Sequence, residues 1–310
     1  MSIESLNALR ENIQKVFIGH PDSADRLLVC LLARGHALIE DVPGVGKTLM
    51  ATALARSIDC AFSRIQLTPD LLPADVLGVS IYDRERSEFR FNKGPIFANI
   101  VLADEINRTT PRTQSALLEA MSDGAVSVDG KTMKLEQPFM VVATQNPYEF
   151  EGTYYLPENQ LDRFLMRIDV GYPSPEDEAR IINLRPADTM LEGLKATMHP
   201  RDVVALQKEV DQVKLHDDLV QYIIRIAGAT RQSEELEVGL SPRGSLALAQ
   251  AARATALLGG RDYTIPEDIT DNAVAVCAHR VVSRAFMQSG DSSISRQIMQ
   301  RIMERVPSPA

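Results

Sequence analysis

The sequence is poor in the residues from which metal clusters and disulfide frameworks are built. It has three cysteines, Cys30, Cys60 and Cys277, which are scattered without paired spacing, and five histidines that show no ligand spacing. This distribution predicts small buried thiols and structural histidines, and it argues against a metal cluster or a disulfide framework. Thiols without partners fit a reducing compartment, so we expect a cytoplasmic location.

Long apolar runs and an excess of basic charge are also missing. No stretch approaches the ~20 consecutive apolar residues that a membrane-spanning helix needs. The N-terminus interleaves apolar and charged residues as an amphipathic helix does, so it does not resemble a signal peptide. The 33 basic and 42 acidic residues give a formal net charge of −9. Because proteins that track along nucleic acid usually carry a basic face, this charge weighs against a nucleic-acid partner.

What is present indicates an α/β protein with room for two domains in 310 residues. Apolar, strand-like runs alternate with helical patterns in the first half, which is typical of a parallel sheet between helices. We predict a helix over residues 112–121 and strands over residues 37–40, 61–66, 100–103, 140–144 and 165–170.

A domain boundary is predicted at Tyr172-Pro173-Ser174-Pro175, where two prolines break the strand and Ser174 is placed to cap a helix. Beyond it nearly the whole sequence has helical periodicity. We predict helices over residues 178–184, 200–213, 217–230, 242–258, 266–282 and 293–305. The expected domains are therefore an αβα core over residues 1–173 and a smaller all-α domain over residues 174–310.

Two segments of the first half have the pattern of β-hairpins. Residues 126–135 place Asp129-Gly130 at a tight turn between alternating strands, and residues 77–91 place a charged stretch between two apolar ones. One interpretation is surface decoration. The other is a pair of projections that contact a partner or line a channel.

The most informative motif is Pro43-Gly44-Val45-Gly46-Lys47-Thr48, which follows an apolar run and opens a helical pattern. Glycines let backbone N–H groups converge on an anion, and the helix N-terminus adds partial positive charge. Lys47 is placed to reach terminal phosphates, and the Thr48 hydroxyl is placed to hold Mg²⁺. We therefore predict that residues 43–49, including Val45 and Leu49, bind a nucleoside triphosphate.

One position departs from the full phosphate-loop pattern, which has glycine where this chain has Asp41. The alternative interpretation is a glycine-rich turn in an ordinary strand-to-helix connection. The loop still forms without that glycine if Asp41 needs no positive φ.

Two carboxylates, Asp104 and Glu105, end the apolar run that begins at Ile100. In a parallel sheet the carboxyl ends of neighbouring strands meet in one crevice. We expect Asp104 to hold Mg²⁺, usually through water, and Glu105 to act as the general base for the attacking water. The alternative is an acidic pair that merely solvates a strand end.

Three further polar residues are candidates for the same chemistry. Asn146 follows the run at 140–144 and is placed to contact the water or the γ-phosphate, although Asn-Pro alone is a turn signal. Arg163 is a candidate arginine finger, with a helix-dipole contact as the alternative. Arg243 follows Ser241-Pro242, a good helix start, from which it would reach the phosphates across an interdomain cleft.

In order, these segments resemble the AAA+ ATPase motif set: phosphate loop, Walker B, sensor 1, arginine finger and sensor 2. The match is closer to the MoxR family. It is dense from about Ile18 to Gly171, and Ser241-Pro242-Arg243 is its main anchor afterwards. The segments that carry it are Gln66-Leu67-Thr68-Pro69-Asp70-Leu71-Leu72-Pro73, Asp104-Glu105-Ile106-Asn107-Arg108, Thr113-Gln114-Ser115-Ala116-Leu117-Leu118-Glu119-Ala120-Met121 and Leu156-Pro157-Glu158-x-Gln160-Leu161-Asp162-Arg163-Phe164.

The resemblance implies a P-loop NTPase core with nucleotide between it and a helical lid, and Ile18 and Gly19 at the adenine. It implies a ring, typically hexameric, in which Arg163 completes the neighbour's site. The two hairpins match the family's helix-2 and pre-sensor-1 insertions.

The function implied is Mg²⁺-dependent ATP hydrolysis that drives chaperone-like remodelling, maturation or activation of a protein complex. Family members often work alongside a von Willebrand factor A-domain protein and a protein client. Two alternatives are a DNA-directed motor of the helicase type and a P-loop small-molecule kinase or GTPase. No Asn-Lys-x-Asp guanine reader occurs in the sequence.

Overall fold

A computed structural model describes residues 3–40, 44–146, 154, 156–185, 190–285 and 293–309. The chain forms two compact units, each assembled from three stretches. The first unit consists of Met1–Asp25, His36–Leu156 and Asp169–Val204, and the second of Arg26–Gly35, Pro157–Ile168 and Ala205–Ala310. The sequence boundary after residue 173 stays a prediction. Among the described helices, none has the length and apolar character needed to cross a bilayer.

The elements follow one another in the order expected of an α/β half and a helical half. The strands are β1 Ala37–Glu40, β2 Phe62–Gln66, β3 Gly78–Asp83, β4 Glu88–Lys93, β5 Ile100–Asp104, β6 Ala125–Val128, β7 Lys131–Lys134, β8 Met140–Gln145, β9 Met166–Ile168, β10 Leu236–Val238 and β11 Val282–Ser283. The helices are α1 Ile3–Val16, α2 Pro21–Leu32, α3 Lys47–Ile58, α4 Pro73–Leu77, α5 Pro111–Asp123, α6 Glu158–Leu161, α7 Pro175–Leu184, α8 Pro200–Val210, α9 Asp217–Gln232, α10 Pro242–Leu258, α11 Pro266–Cys277 and α12 Ser293–Arg305.

The first unit contributes four parallel strands that lie side by side in the order β2-β5-β8-β1. Every residue of β1 and β5 is buried, as the continuous apolar runs predict for strands covered on both faces. The pairing places Gln66 opposite Asp104 and Ala103 opposite Ala143. As a result, the carboxyl ends of β2, β5 and β8 meet at one edge of the sheet.

Helix α1 packs against α3 in the first unit. Its apolar residues Leu6, Leu9, Ile13 and Val16 are all buried, which confirms the amphipathic pattern. The predicted helix at 112–121 is confirmed as α5, which begins after an N-cap at Thr110, whose side chain accepts a hydrogen bond from the Thr113 N–H.

Both predicted hairpins are confirmed as antiparallel pairs, β3 with β4 and β6 with β7. Gly130 has a φ of 73° at the tight turn, which a side chain would disfavour. On the first hairpin Tyr82 and Phe89 pack edge to face with ring centroids 5.2 Å apart, and both residues are exposed.

The second unit is helical, but it also holds a short antiparallel pair of β10 and β11. The helix predicted over residues 266–282 was therefore wrong at its end. Helix α11 stops at Cys277, and Val282 lies in β11 instead of a helix. Consecutive β-branched residues at Val281 and Val282 favour extended backbone. The helix predicted over residues 200–213 likewise ends earlier, at Val210. Helices α2, α4 and α6 were not predicted.

Candidate nucleotide-binding site

A cavity of about 940 Å³ lies wholly in the first unit, at the edge of the sheet where the strands end. Gln66, Asp104 and Thr144 reach it from β2, β5 and β8, and residues 44–46 form another wall. The predicted site residues that line it are Ile18, Gly19, Gly44, Val45, Gly46, Lys47, Thr48, Leu49, Asp104, Glu105 and Asn146. A volume of this size matches the usual range of ligand pockets, roughly 300–1,000 Å³.

The glycine loop turns directly into helix α3. Gly44 and Gly46 both have a φ of 88°, in the region that residues with a Cβ avoid. Gly46 is the N-cap of α3, and no side chain caps the helix. Because the first turn of a helix has no internal partners for its N–H groups, these donors suit an anion in the cavity. Asp41 and Pro43 lie outside the described residues.

Both oxygens of the Asp104 carboxylate accept hydrogen bonds. The Thr144 hydroxyl donates to Oδ1 over 2.6 Å, and Arg64 donates to Oδ2 from Nη2 at 2.6 Å and from Nε at 3.2 Å. The residue is only 8% exposed. Two strands that flank β5 therefore fix the direction of this carboxylate.

Glu105 is held by its backbone and by its side chain. Its φ of 58° and ψ of 55° are unusual for a residue with a side chain. Its N–H donates to the Thr144 hydroxyl over 2.9 Å. The side-chain Oε2 accepts from Gln66 Nε2 at 2.8 Å and from Arg108 Nη1 at 3.0 Å. This position leaves a charged oxygen acceptor on the cavity wall next to Asp104.

The remaining predicted residues of the first unit also line the cavity. Asn146 is buried, and its backbone carbonyl accepts from Asn107 Nδ2 at 3.4 Å. Ile18 and Gly19 line the cavity as well, together with Phe17 and Tyr172. The apolar and aromatic surface there is suited to the flat face of a base.

Arg163 and Arg243 both lie in the second unit. Arg163 follows the short helix α6 and is half-buried. Arg243 stands at the second position of α10, after Ser241, whose hydroxyl accepts from the Gly244 N–H at 3.2 Å as predicted. Its Nη1 lies 3.5 Å from Oδ2 of Asp162, and its side chain is 62% exposed.

A buried cation supports the segment that carries Arg163. Arg280 donates from Nε to Oδ1 of Asp162 at 2.8 Å and from Nη2 to the Phe164 carbonyl at 2.7 Å. Burial lowers the pKa of Arg280, while the charge of Asp162 acts in the opposite direction. The neighbouring His279 ring contacts the same Phe164 carbonyl at 3.0 Å, and burial lowers its pKa well below the ordinary value.

Sequence reasoning missed four residues that hold the carboxylates: Arg64, Gln66, Thr144 and Arg108. A signal existed for the first two, since polar residues at 64 and 66 flank Ile65 and therefore share one face of β2. Thr144 ends an otherwise apolar run in the same manner. No local pattern pairs Arg280 with Asp162, which is 118 residues away.

Known proteins share both parts of this chain. Residues 36–166 match the family described as the ATPase family associated with various cellular activities (AAA), and residues 228–302 match the AAA lid domain.

Individual relatives extend over nearly the whole chain. The uncharacterized protein YeaC of Bacillus subtilis is 51% identical over 94% of this chain and 92% of its own length. The chaperone MoxR1 of Mycobacterium tuberculosis is 43% identical over 96% of this chain and 80% of its own length. The crystal structure of a candidate ATPase from Cytophaga hutchinsonii superimposes with a TM-score of 0.89 at 36% identity, covering 99% of this chain and 96% of that one.

Proposed function

Because this chain belongs to the MoxR family of AAA+ ATPases, we propose that its cavity couples Mg²⁺-dependent ATP hydrolysis to chaperone-like remodelling of a protein complex. One observation carries the chemistry. The glycine loop, the N-terminus of α3 and the carboxylates of Asp104 and Glu105 all line a single cavity. Hydrogen-bond donors suited to phosphate and a carboxylate suited to act as a general base therefore line the same cavity.

Triphosphate binding is assigned to the loop and to the start of α3. The backbone N–H groups after Gly44 provide fixed donors, and Lys47 provides a positive charge for the terminal phosphates. The apolar part of the cavity beside Ile18 and Gly19 takes the adenine.

The residues present fit a bound Mg²⁺. Two residues that line the cavity carry oxygen donors of the kind that Mg²⁺ prefers: Asp104 with its carboxylate and Thr48 with its hydroxyl. Mg²⁺ usually keeps several waters and binds through one or two protein groups plus substrate phosphates. When bound, it neutralises charge on the phosphate oxygens.

Glu105 is assigned as the general base. Its carboxylate lines the cavity, and Gln66 and Arg108 hold one of its oxygens in place. It accepts a proton from the attacking water, a contribution that is typically worth ~10²–10⁴-fold in rate. Asn146, at the end of the neighbouring strand, orients the water or the γ-phosphate.

Arg163 and Arg243 complete the proposal as cations that offset charge developing on the phosphoryl group. AAA+ ATPases commonly form oligomeric rings, and we propose a hexamer in which Arg163 acts on the neighbour's nucleotide. The network of Asp162 and Arg280 supports this assignment because Arg280 donates to the backbone carbonyls of Asp162 and Phe164, on both sides of Arg163.

The partners proposed are a von Willebrand factor A-domain protein and a protein client, in the cytoplasm. The relative named as a chaperone supports a protein client. The exposed Tyr82 and Phe89 on the first hairpin are suited to such contacts.

Capture of a client tests this proposal. A Glu105→Gln bait holds ATP without hydrolysing it, so it should retain a protein complex that a Lys47→Ala bait, which binds no nucleotide, does not retain. The native protein should release that complex as ATP is consumed. Equal recovery on both baits would contradict an ATP-driven remodelling role, and a salt-sensitive complex with nucleic acid would favour the DNA-directed alternative.

A further inference from the structure

Arg64 places a permanent positive charge on the carboxylate that is assigned to the metal. Its guanidinium donates twice to Oδ2 of Asp104, at 2.6 Å and 3.2 Å. The parallel register of β2 and β5 explains the contact, since Gln66 lies opposite Asp104 and Arg64 lies one pleat earlier on the same face. Arg64 also lines the cavity.

The ion pair between Arg64 and Asp104 cannot be broken by deprotonation of Arg64. An arginine stays protonated at any pH at which the protein is folded, so the guanidinium can leave Asp104 only by moving. A second cation at the same oxygen would be repelled by Arg64 and would find the lone pairs of Oδ2 already engaged. The Thr144 hydroxyl, by contrast, engages only the other oxygen, Oδ1.

The two partners differ in their freedom to move. The Asp104 side chain is 12% exposed and is held from both sides, whereas the Arg64 side chain is 51% exposed. A half-exposed arginine on a flexible stem can swing into solvent at low cost. Movement of Arg64, with Asp104 staying in place, is therefore the favoured way to admit a metal.

We propose that Arg64 competes with Mg²⁺ for Asp104, so that loading of the metal–nucleotide complex displaces the Arg64 guanidinium. The inference rests on the proposed function, because it concerns the metal of the same cavity. It makes Arg64 a positioning residue that holds Asp104 before loading and sets how much Mg²⁺ the site requires.

The displacement also reaches Glu105 through one intermediate side chain. Arg64 Nη2 donates to Oε1 of Gln66 at 3.3 Å, and Nε2 of the same Gln66 donates to Glu105 at 2.8 Å. When Arg64 leaves, Gln66 loses one of its two restraints. Metal loading at Asp104 is thereby communicated to the side chain assigned as the base.

The test is a Mg²⁺ titration of nucleotide binding, which needs no turnover. A fluorescent, nonhydrolysable ATP analogue is held at one concentration, and Mg²⁺ is added to native protein, to Arg64→Met and to Arg64→Lys. The half-saturating Mg²⁺ concentration should fall about threefold to tenfold in Arg64→Met, the range expected for a partly exposed ion pair with two hydrogen bonds. Arg64→Lys keeps the positive charge but lacks the planar guanidinium, so its half-saturating Mg²⁺ concentration should lie between those of native protein and Arg64→Met.

Two controls make the result specific. Arg90→Met removes an equal charge from the exposed hairpin strand β4 and should leave the titration unchanged. In an Asp104→Asn background, Arg64→Met should not change the Mg²⁺ requirement, because the carboxylate for which Arg64 and Mg²⁺ compete has been removed. A thermal melt establishes that each variant is folded, and Arg64→Lys replaces Arg64→Met if the latter is not.

The outcomes separate the inference from the function on which it rests. An unchanged or increased Mg²⁺ requirement in Arg64→Met, with normal binding by native protein, overturns the competition alone. Failure of native protein to bind the analogue at any Mg²⁺ concentration overturns the proposed function as well. If Arg64→Met also lowers the Mg²⁺ requirement in the Asp104→Asn background, the proposed competition is overturned, because Arg64 would then act at a group other than Asp104.

Discussion

Nε of Arg280 lies 2.8 Å from Oδ1 of Asp162, and the Arg280 side chain is only 4% exposed. The other carboxylate oxygen, Oδ2, lies 3.5 Å from Nη1 of Arg243. Asp162 therefore stands between a buried cation and an exposed one in the second unit. Asp162 directly precedes Arg163 in the sequence, and its carboxylate contacts Arg243. It therefore lies next to both arginines that we propose as transition-state cations.

Removal of this carboxylate charge should destabilise the protein. Asp162→Asn leaves the Arg280 guanidinium buried without its counter-ion, and breaking a buried pair in this way costs about 3–5 kcal/mol. Urea unfolding measures the loss. Glu237→Gln is the matched control, because the Glu237–Arg284 pair has side chains 59% and 63% exposed and such surface pairs contribute at most ~1 kcal/mol. Equal losses in the two variants would contradict a structural role for the buried pair.

His36 should make stability depend on pH. The Val141 N–H donates to its Nδ1, so Nε2 of the neutral ring donates to the Met121 carbonyl. Burial lowers the pKa of His36 to about 4, and the hydrogen bond to Met121 opposes this only in part. The unfolded chain, with a histidine pKa near ~6.5, takes up the proton first as the pH falls.

The contribution of His36 to the free energy of unfolding is therefore complete above pH ~6.5 and is lost toward pH ~4, by about 3 kcal/mol in total. Unfolding free energies measured between pH 7 and pH 4.5 should fall less steeply in His36→Gln than in native protein. Parallel curves would show that the histidine does not titrate differently in the two states.

Arg163 should act on a neighbouring subunit. Arg163→Ala should bind ATP normally and hydrolyse it at least ~10³-fold more slowly, as expected for loss of an arginine finger. Mixing it with Lys47→Ala should restore phosphate release, since a Lys47→Ala subunit still supplies Arg163 to an intact site beside it. Arg201→Ala, which removes an exposed cation, is the control. Full-rate hydrolysis by dilute native monomers, or no recovery on mixing, would refute the action in trans.

Local sequence patterns predicted the parts of this site that depend on local structure. The apolar runs that became β1, β5 and β8 ended where expected to within two residues, and the two loop glycines adopted the positive φ that their role requires. Both hairpins formed because alternation and turn residues lie within one short segment.

The contacts that were missed depend on register and on distant segments. Arg64 meets Asp104 only because β2 pairs with β5 in parallel with Gln66 opposite Asp104, and no local pattern specifies that pairing. The end of α11 was missed because a helical period was extended across Val281 and Val282, whereas Val282 pairs with Val238 in a sheet. Both valines are β-branched and favour extended backbone, so the local preference there agreed with the sheet pairing.

If the cavity binds ATP and Glu105 activates the water, Glu105→Gln should separate binding from hydrolysis. The ATP affinity and the turnover of this variant are measured beside those of native protein. We expect a native-like affinity with turnover lowered by about 10²–10⁴-fold. Near-native turnover, or loss of ATP binding in this variant, would contradict this expectation.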